Sequence, residues 1–226
     1  VRLLLSGTRR EATDPANARW VGLLTSPRTG TAEAFLDKAG AYVAADNDAF
    51  KNFDATAYLR FVARARSRPG RYLFITAPDH VGDARATVAA WDWYWPELIG
   101  HGHGLDEPLP AAFVLQDGAE DLDLDDIWGT AAAAFVGGST EWKLSSHAAD
   151  LMREAKRRGL WLHMGRVNTF KRFRIAYDAG CDSVDGTAFS MFPDVQIPRA
   201  IGWLERLHRR PPRGWAGRQI QSTLFI

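Results

Sequence analysis

Six apolar runs in the chain end in residues able to do chemistry. Tyr42-Val-Ala-Ala runs into Asp46-Asn47, Leu73-Phe-Ile-Thr-Ala-Pro into Asp79, and Cys181-Asp-Ser-Val into Asp185-Gly186. Ala112-Phe-Val-Leu runs into Gln116-Asp117-Gly118, Ala134-Phe-Val into Gly137-Gly138-Ser139, and Leu160-Trp-Leu-His into Met164-Gly165. Carboxylates crowded on a low-dielectric surface repel and shift one another's protonation. That condition suits one nucleophile and one base. An acid after a strand can instead cap the next helix. Asp46, Asp79 and Asp185 read as followed by loops, which speaks against capping.

Other polar residues carry less. Asp182 either orients the site or alternates to the other face of its strand. His163 points opposite to its strand neighbours and reads as a packed histidine. His101 and His103 have metal-ligand spacing but follow a helix rather than a strand, and no metal site is expected. The acidic run from Asp117 to Asp126 reads as a solvated loop.

The elements that position these residues alternate. Apolar runs occur at 3–5, 21–25, 42–45, 72–77, 111–116, 131–136, 160–164 and 183–184. Helix-like segments lie between most of them, at 31–38, 54–66, 83–99, 145–158, 169–179 and 199–209. Asp54 and Asp83 stand where helices should start. Gly40, Gly70, Gly159 and Gly180 stand where helices should end. Alternating strands and helices predict βαβ units and a parallel sheet. The runs are continuous, as for strands covered on both faces. Their number fits an α/β fold of the (β/α)8 TIM-barrel type, whose strand ends share one active-site face. An open doubly wound sheet is the competitor, but no G-x-G-x-x-G follows a strand. We expect one barrel domain over residues 1–210 and a basic tail over 211–226.

Composition bounds the rest. The chain has 226 residues, 46% hydrophobic and 24% charged, with nine Trp and one Cys. One cysteine excludes a disulfide framework and a Cys-rich zinc module. No run approaches a membrane span, and Leu3 to Leu5 is too short for a signal-peptide core. A cytoplasmic protein, of a bacterium or a phage-infected host, is the expectation. The net charge of +1 hides a split. Residues 1–150 carry 14 Lys/Arg against 21 Asp/Glu, and residues 151–226 carry 14 against 6. A basic C-terminal third suits a polyanion held on one side.

The segment HMGRVNTFKRFRIAYDAGCDSVDGT resembles the guanine-exchanging tRNA transglycosylases, the queuine tRNA-ribosyltransferases. They have a Met-Gly strand end, a helix, then Gly-x-Asp-x-x-Asp ending in a nucleophilic aspartate. Here that element is Gly180-Cys-Asp182-Ser-Val-Asp185. ADNDAF is similar to the family's Asp-Ser-Gly-Gly-Tyr element, departing at Asp48 where the pattern has Gly. FVLQDG resembles its Val-Gln-Gly-Gly element, FVGGSTEW its Gly-Gly element, and ITAPD the strand end with a base-reading aspartate. The overlap runs from about residue 20 to 190, in the family's order. The zinc subdomain of the tRNA enzymes is missing. The chain therefore looks more like the phage and bacterial DNA transglycosylases that insert 7-deazaguanines.

The resemblance implies roles. Asp185 attacks C1′ of a guanosine, and Asp46 takes the proton of the incoming deazapurine. Asp79 accepts from the guanine N1–H and 2-amino groups. Gln116 and a backbone N–H of the Gly137-Gly138 turn reach O6. Asn47 adds a polar contact, Phe50 and Met164 sandwich the ring, and Gly165 adjoins it. No cofactor is implied. The partners are guanine-containing DNA and a free 7-deazaguanine such as 7-cyano-7-deazaguanine. Alternatives are a tRNA transglycosylase reduced to its barrel, an N-glycosidase, or a DNA-binding barrel with a dead site.

A flipped guanine would reach this face of the barrel. Arg166, Lys171, Arg172 and Arg174 would hold the nucleic-acid backbone, and Arg206, Arg209, Arg210, Arg213 and Arg218 extend the basic character. Gln221-Ser-Thr-Leu224-Phe225 resembles the Gln-x-x-Leu-Phe peptide that docks on bacterial sliding clamps. A last strand or an apolar anchor against the barrel is the favoured reading of that peptide.

Overall fold

A computed structural model describes residues 1–7, 10–30, 42–99 and 108–209. The expected helix at 31–38, Gly40, His101, His103, Arg210, Arg213, Arg218 and the clamp-like peptide lie outside the described residues.

Eight parallel strands close into a barrel in chain order. They are β1 (Arg2–Ser6), β2 (Val21–Thr25), β3 (Val43–Ala45), β4 (Tyr72–Thr76), β5 (Ala111–Leu115), β6 (Ala133–Val136), β7 (Trp161–Met164) and β8 (Ser183–Asp185). The β1–β8 pairing completes the ring, with Leu4 opposite Asp185. Eight apolar runs in the sequence thus correspond to eight strands. The helices are α1 (Ala55–Ala65), α2 (Ala84–Ile99), α3 (Asp125–Thr130), α4 (Thr140–Lys143), α5 (Ser146–Arg157), α6 (Phe170–Asp178), α7 (Thr187–Met191) and α8 (Pro193–His208).

Side-chain alternation divides each strand between two cores. Leu4, Leu24, Ala44, Phe74, Ala112 and Ala133 fill the inside of the barrel, with Phe135 and Trp161 packed against them. Leu3, Leu5, Leu23, Val43, Ile75 and Phe113 face outward into the larger core under the helices. Both faces of every strand are therefore covered, which is why the runs read as continuous rather than alternating.

Local signals set the helix ends. Asp54 accepts from the Ala57 N–H at 2.9 Å and Asp83 from the Ala86 N–H at 3.0 Å, starting α1 and α2. Thr169 caps α6 by accepting from the Arg172 N–H. Gly159 and Gly180 follow α5 and α6 with φ of 81° and 79°, a left-handed conformation that costs glycine nothing. Gly70 instead lies in a 3-10 turn, Pro69–Arg71, beyond the end of α1.

Three short helices differ from the sequence expectation, because too few residues form a period. The acidic run is not a plain solvated loop: it contains a 3-10 turn, Ala119–Asp121, and starts α3 at Asp125. Its acids have partners, since Asp117 accepts from Ser139 and Glu120 from the Trp142 indole. Helix α4 follows the Gly-Gly turn, and α7 follows β8. The last helix begins at Pro193 rather than Arg199, with proline in its first turn where no N–H is needed.

Candidate active site

The strand ends meet at the C-terminal mouth of the barrel. At β3 the backbone turns sharply after Asp46. The Asp46 N–H donates to Thr25 O at 2.8 Å, and its Oδ1 accepts from the Asn47 N–H at 2.8 Å. Asp48 has φ 62°, the left-handed conformation for which glycine is the default. At Asp48 the departure from the Asp-Ser-Gly-Gly-Tyr pattern thus keeps the backbone shape that a glycine would give. Asp48 can hold it because its Oδ2 accepts from the Arg28 N–H at 3.1 Å.

Asp79, just past β4, is clamped between two amides. Asn47 Nδ2 donates to Asp79 Oδ1 at 2.6 Å and to Ala77 O at 2.6 Å. Gln116 Nε2 donates to Asp79 Oδ2 at 2.5 Å. The amide oxygens are held in turn, Asn47 Oδ1 by the Ala49 N–H and Gln116 Oε1 by the Gly82 N–H. Both carboxylate oxygens are thereby fixed in direction, and each keeps a further lone pair.

On the opposite wall, Asp185 ends β8 with a side chain 12% exposed. Its Oδ2 lies 2.9 Å from His163 Nε2, and its Oδ1 accepts a long bond from the Arg166 N–H at 3.3 Å. His163 is fully buried inside the barrel, its ring 4.5 Å from that of Phe135 and 5.2 Å from that of Phe74. Arg166 has φ 60°, and its guanidinium donates to the carbonyls of Gly137 and Gly138. That guanidinium also stands 5.2 Å above the Phe50 ring. Beneath the turn, the buried Lys143 ammonium donates to Gly165 O at 2.8 Å.

These residues surround a cavity of about 270 Å³ lined by Asp46, Asn47, Phe50, Asp79, Gln116, Phe135, Gly137, Gly165, Arg166 and Asp185, among others. The volume suits one ring system rather than a larger ligand. Burial raises the Asp46 carboxyl to about 7, and the Asp185 charge across the pocket adds to the shift. Burial also raises Asp79, opposed by the hydrogen bonds from Asn47 and Gln116. Lys143 is lowered to about 7 by burial and by the Arg166 charge. Of the two groups near 7 only Asp46 lines the cavity, where a carboxyl poised near neutrality suits acid–base work.

The structure gathers most of the residues read from the sequence, but not all. Met164 does not line the cavity: it is fully buried and points outward into the helix-covered core. The parity of β7 is the reverse of the expected one, so His163 faces the site and Met164 faces away. Phe50 lines the cavity while 67% exposed, and Phe135 is a second ring on its wall. Gly137 lines the cavity, whereas Gly138 lies behind it and holds Arg166 through its carbonyl. Asp182 is remote, bound to Lys156 Nζ at 2.7 Å and accepting from the Leu162 N–H. Only Gly186 separates Asp185 from α7, so Asp185 is not followed by a loop. Lys171 and Arg174 are exposed on α6, while Arg172 turns back to donate to Arg166 O at 3.2 Å.

His163, Phe135 and Lys143 were not read as site residues. The β8 pattern offered a signal for the first: Ser183 and Asp185 share a face, and His163 is the polar residue that pairs with Ser183 across β7 and β8. Lys143 had none, because a lysine ending a short helix reads as solvent-facing.

Among the described residues, no three or more His, Cys, Asp or Glu side chains are grouped to hold a metal ion. No described helix is long and apolar enough to cross a membrane. No protein-family model matches the chain, and no curated protein matches it significantly. What stands established is a closed (β/α)8 barrel with a carboxylate-lined cavity at its C-terminal mouth.

Proposed function

We propose that the protein exchanges guanine in DNA for a 7-deazaguanine through a covalent bond between Asp185 and C1′. One observation carries the reading: Asp46 and Asp185 line the same cavity as the Asn47–Asp79–Gln116 cluster. The first pair can perform displacement at a sugar carbon. The cluster can read the edge of a purine.

In the first half, Asp185 Oδ1 bonds to C1′ as the C1′–N9 bond breaks and the guanine leaves with the electron pair. In the second, N9 of the incoming deazapurine bonds to C1′, the C1′–Oδ1 bond breaks, and Asp46 takes the N9 proton. The departing guanine needs a proton and the incoming base must lose one. A carboxyl titrating near 7 can do both in turn. Asp79 keeps a lone pair on each oxygen for the N1–H and 2-amino donors. The second amide hydrogen of Gln116 can donate to O6. The Gly137 N–H has no such role, being spent on Leu115 O at 3.0 Å. Phe135 offers a ring wall, and Arg166 with Phe50 forms the rim where the nucleic acid crosses.

The test is to incubate the protein with DNA or tRNA carrying labelled guanine, with and without 7-cyano-7-deazaguanine. Release from DNA that requires the deazapurine supports the reading. Release from tRNA alone, release without the deazapurine, or none overturns it in favour of the tRNA enzyme, the glycosidase or a binding role.

A further inference from the structure

Four side chains inside the barrel form one hydrogen-bonded line. The Trp161 indole Nε1 donates to Ser183 Oγ at 2.9 Å, Ser183 Oγ lies 2.8 Å from His163 Nδ1, and His163 Nε2 lies 2.9 Å from Asp185 Oδ2. Heavy-atom positions alone leave the protons of the last two links open, but the indole end closes the choice. An indole N–H can only donate, so Ser183 Oγ accepts there. The fully buried Ser183 hydroxyl then needs an acceptor for its own proton. Of its two polar neighbours, only His163 Nδ1 can accept. The imidazole proton therefore sits on Nε2 and points at Asp185.

We propose that Trp161, Ser183 and His163 form a one-directional hydrogen-bond chain that assigns the two oxygens of Asp185 to different tasks. Oδ2 is anchored by His163 and Oδ1 is the oxygen presented for attack. His163 is thus a positioning residue for the displacement proposed above, and the inference rests on that reading. The chain acts unevenly on the two halves of the reaction. Once Oδ1 is bonded to C1′, Oδ2 is the ester carbonyl oxygen and still accepts the Nε2–H. As the incoming base displaces Asp185, the electron pair of the C1′–Oδ1 bond returns to the carboxylate, and the hydrogen bond to a growing charge strengthens. His163 therefore speeds breakdown of the ester more than its formation. The packing of Phe74 and Phe135 on the imidazole holds it in line at both stages.

The experiment has two arms on the full chain. In the first, long-range 1H–15N spectra of histidine-labelled protein report the His163 tautomer, assigned by loss of its signals in His163→Phe. The expected pattern is a protonated Nε2 and an accepting Nδ1, with Nδ1 moving toward its unbonded shift in Ser183→Ala. A proton on Nδ1 overturns the chain whatever the protein's reaction is. In the second arm, the DNA adduct is trapped by denaturation during exchange. His163→Phe should lower kcat at least tenfold with KM for the deazapurine within twofold, while the trapped fraction rises. His163→Gln, which can place an N–H near Oδ2, should recover part of the rate. Wild-type kcat and adduct levels in His163→Phe overturn the role in ester breakdown. If the wild type itself exchanges no base, the covalent reading fails, and the tautomer spectrum still decides the chain.

Discussion

Asp46 and Asp185 face one cavity, and the charge of Asp185 is the second cause, after burial, of the rise of Asp46 to about 7. Exchange should therefore lose rate as pH falls through about 7, where Asp46 can no longer take the proton of the incoming base. Asp46→Asn should slow guanine release, which loses its proton donor, and pass little sugar to the deazapurine. A pH–rate profile without an inflection near 7 would count against the assignment.

The same shift predicts a stability effect of definite sign. The usual carboxyl value is 3.8 and the folded one about 7. Between them the folded protein keeps a proton that the unfolded chain has lost, so stability falls as pH climbs through that window. The penalty is complete above it. Asp46→Asn should flatten the slope between pH 4 and 7 and exceed wild type above pH 7 by roughly 1–3 kcal/mol. Urea midpoints measured at pH 4.5 and 8 decide this; a variant equally destabilised at both removes the burial argument.

Asn47 is a structural partner of Asp79 before it is a ligand contact. Its amide satisfies Ala77 O, Asp79 Oδ1 and the Ala49 N–H at once. Asn47→Ala strands these buried groups and should cost about 1–3 kcal/mol. KM for the deazapurine should rise several-fold because Asp79 loses one of its two clamps. Unchanged stability and KM would mean that Asp79 is held by Gln116 alone.

How far the sequence carries the structure can be judged on β7. Its existence was legible, because an apolar run between a helix-ending Gly159 and a Met-Gly turn has few alternatives. Its parity was not. A strand covered on both faces has apolar residues at every position, so Leu162, His163 and Met164 carry little alternation to show which points inward. Asp46, Asp79, Gln116 and Asp185 escape this difficulty, since polar residues at the mouth declare themselves by interrupting the run. Lys143 reaches the site from the layer behind it, through Gly165 O, and no spacing rule links those two positions.

The basic residues of α6 separate into two kinds. Lys171 and Arg174 are exposed, whereas Arg172 is partly buried against Arg166 O. Lys171→Ala and Arg174→Ala should each reduce the slope of log affinity for DNA against log salt by roughly 1 and leave the rate at saturating DNA intact. Arg172→Ala should also lower that rate, through the displaced Arg166. Identical salt slopes in wild type and the Lys171/Arg174 double variant would place the polyanion elsewhere.

Gly165 gives the sharpest steric prediction. A Cβ there would lie 2.9 Å from Phe135 Cε1 and 3.3 Å from Asp185 Oδ2. The backbone cannot move to relieve it, because the Gly165 N–H is bonded to Val136 O and its carbonyl to Lys143. Phe135 gives way only at the expense of its packing on His163 and Phe74. Gly165→Ala should therefore displace Asp185 or the ring, cost about 1–3 kcal/mol and lower exchange at least tenfold. Gly202 in α8 is the matched control, since a Cβ there meets nothing within 4 Å. Gly202→Ala should stabilise by about 0.5–1 kcal/mol and leave exchange unchanged, because helix propensity alone is altered. Loss of activity in both variants would trace the effect to folding. Loss in Gly165→Ala alone traces the effect to the displaced Asp185 or Phe135 at the cavity wall.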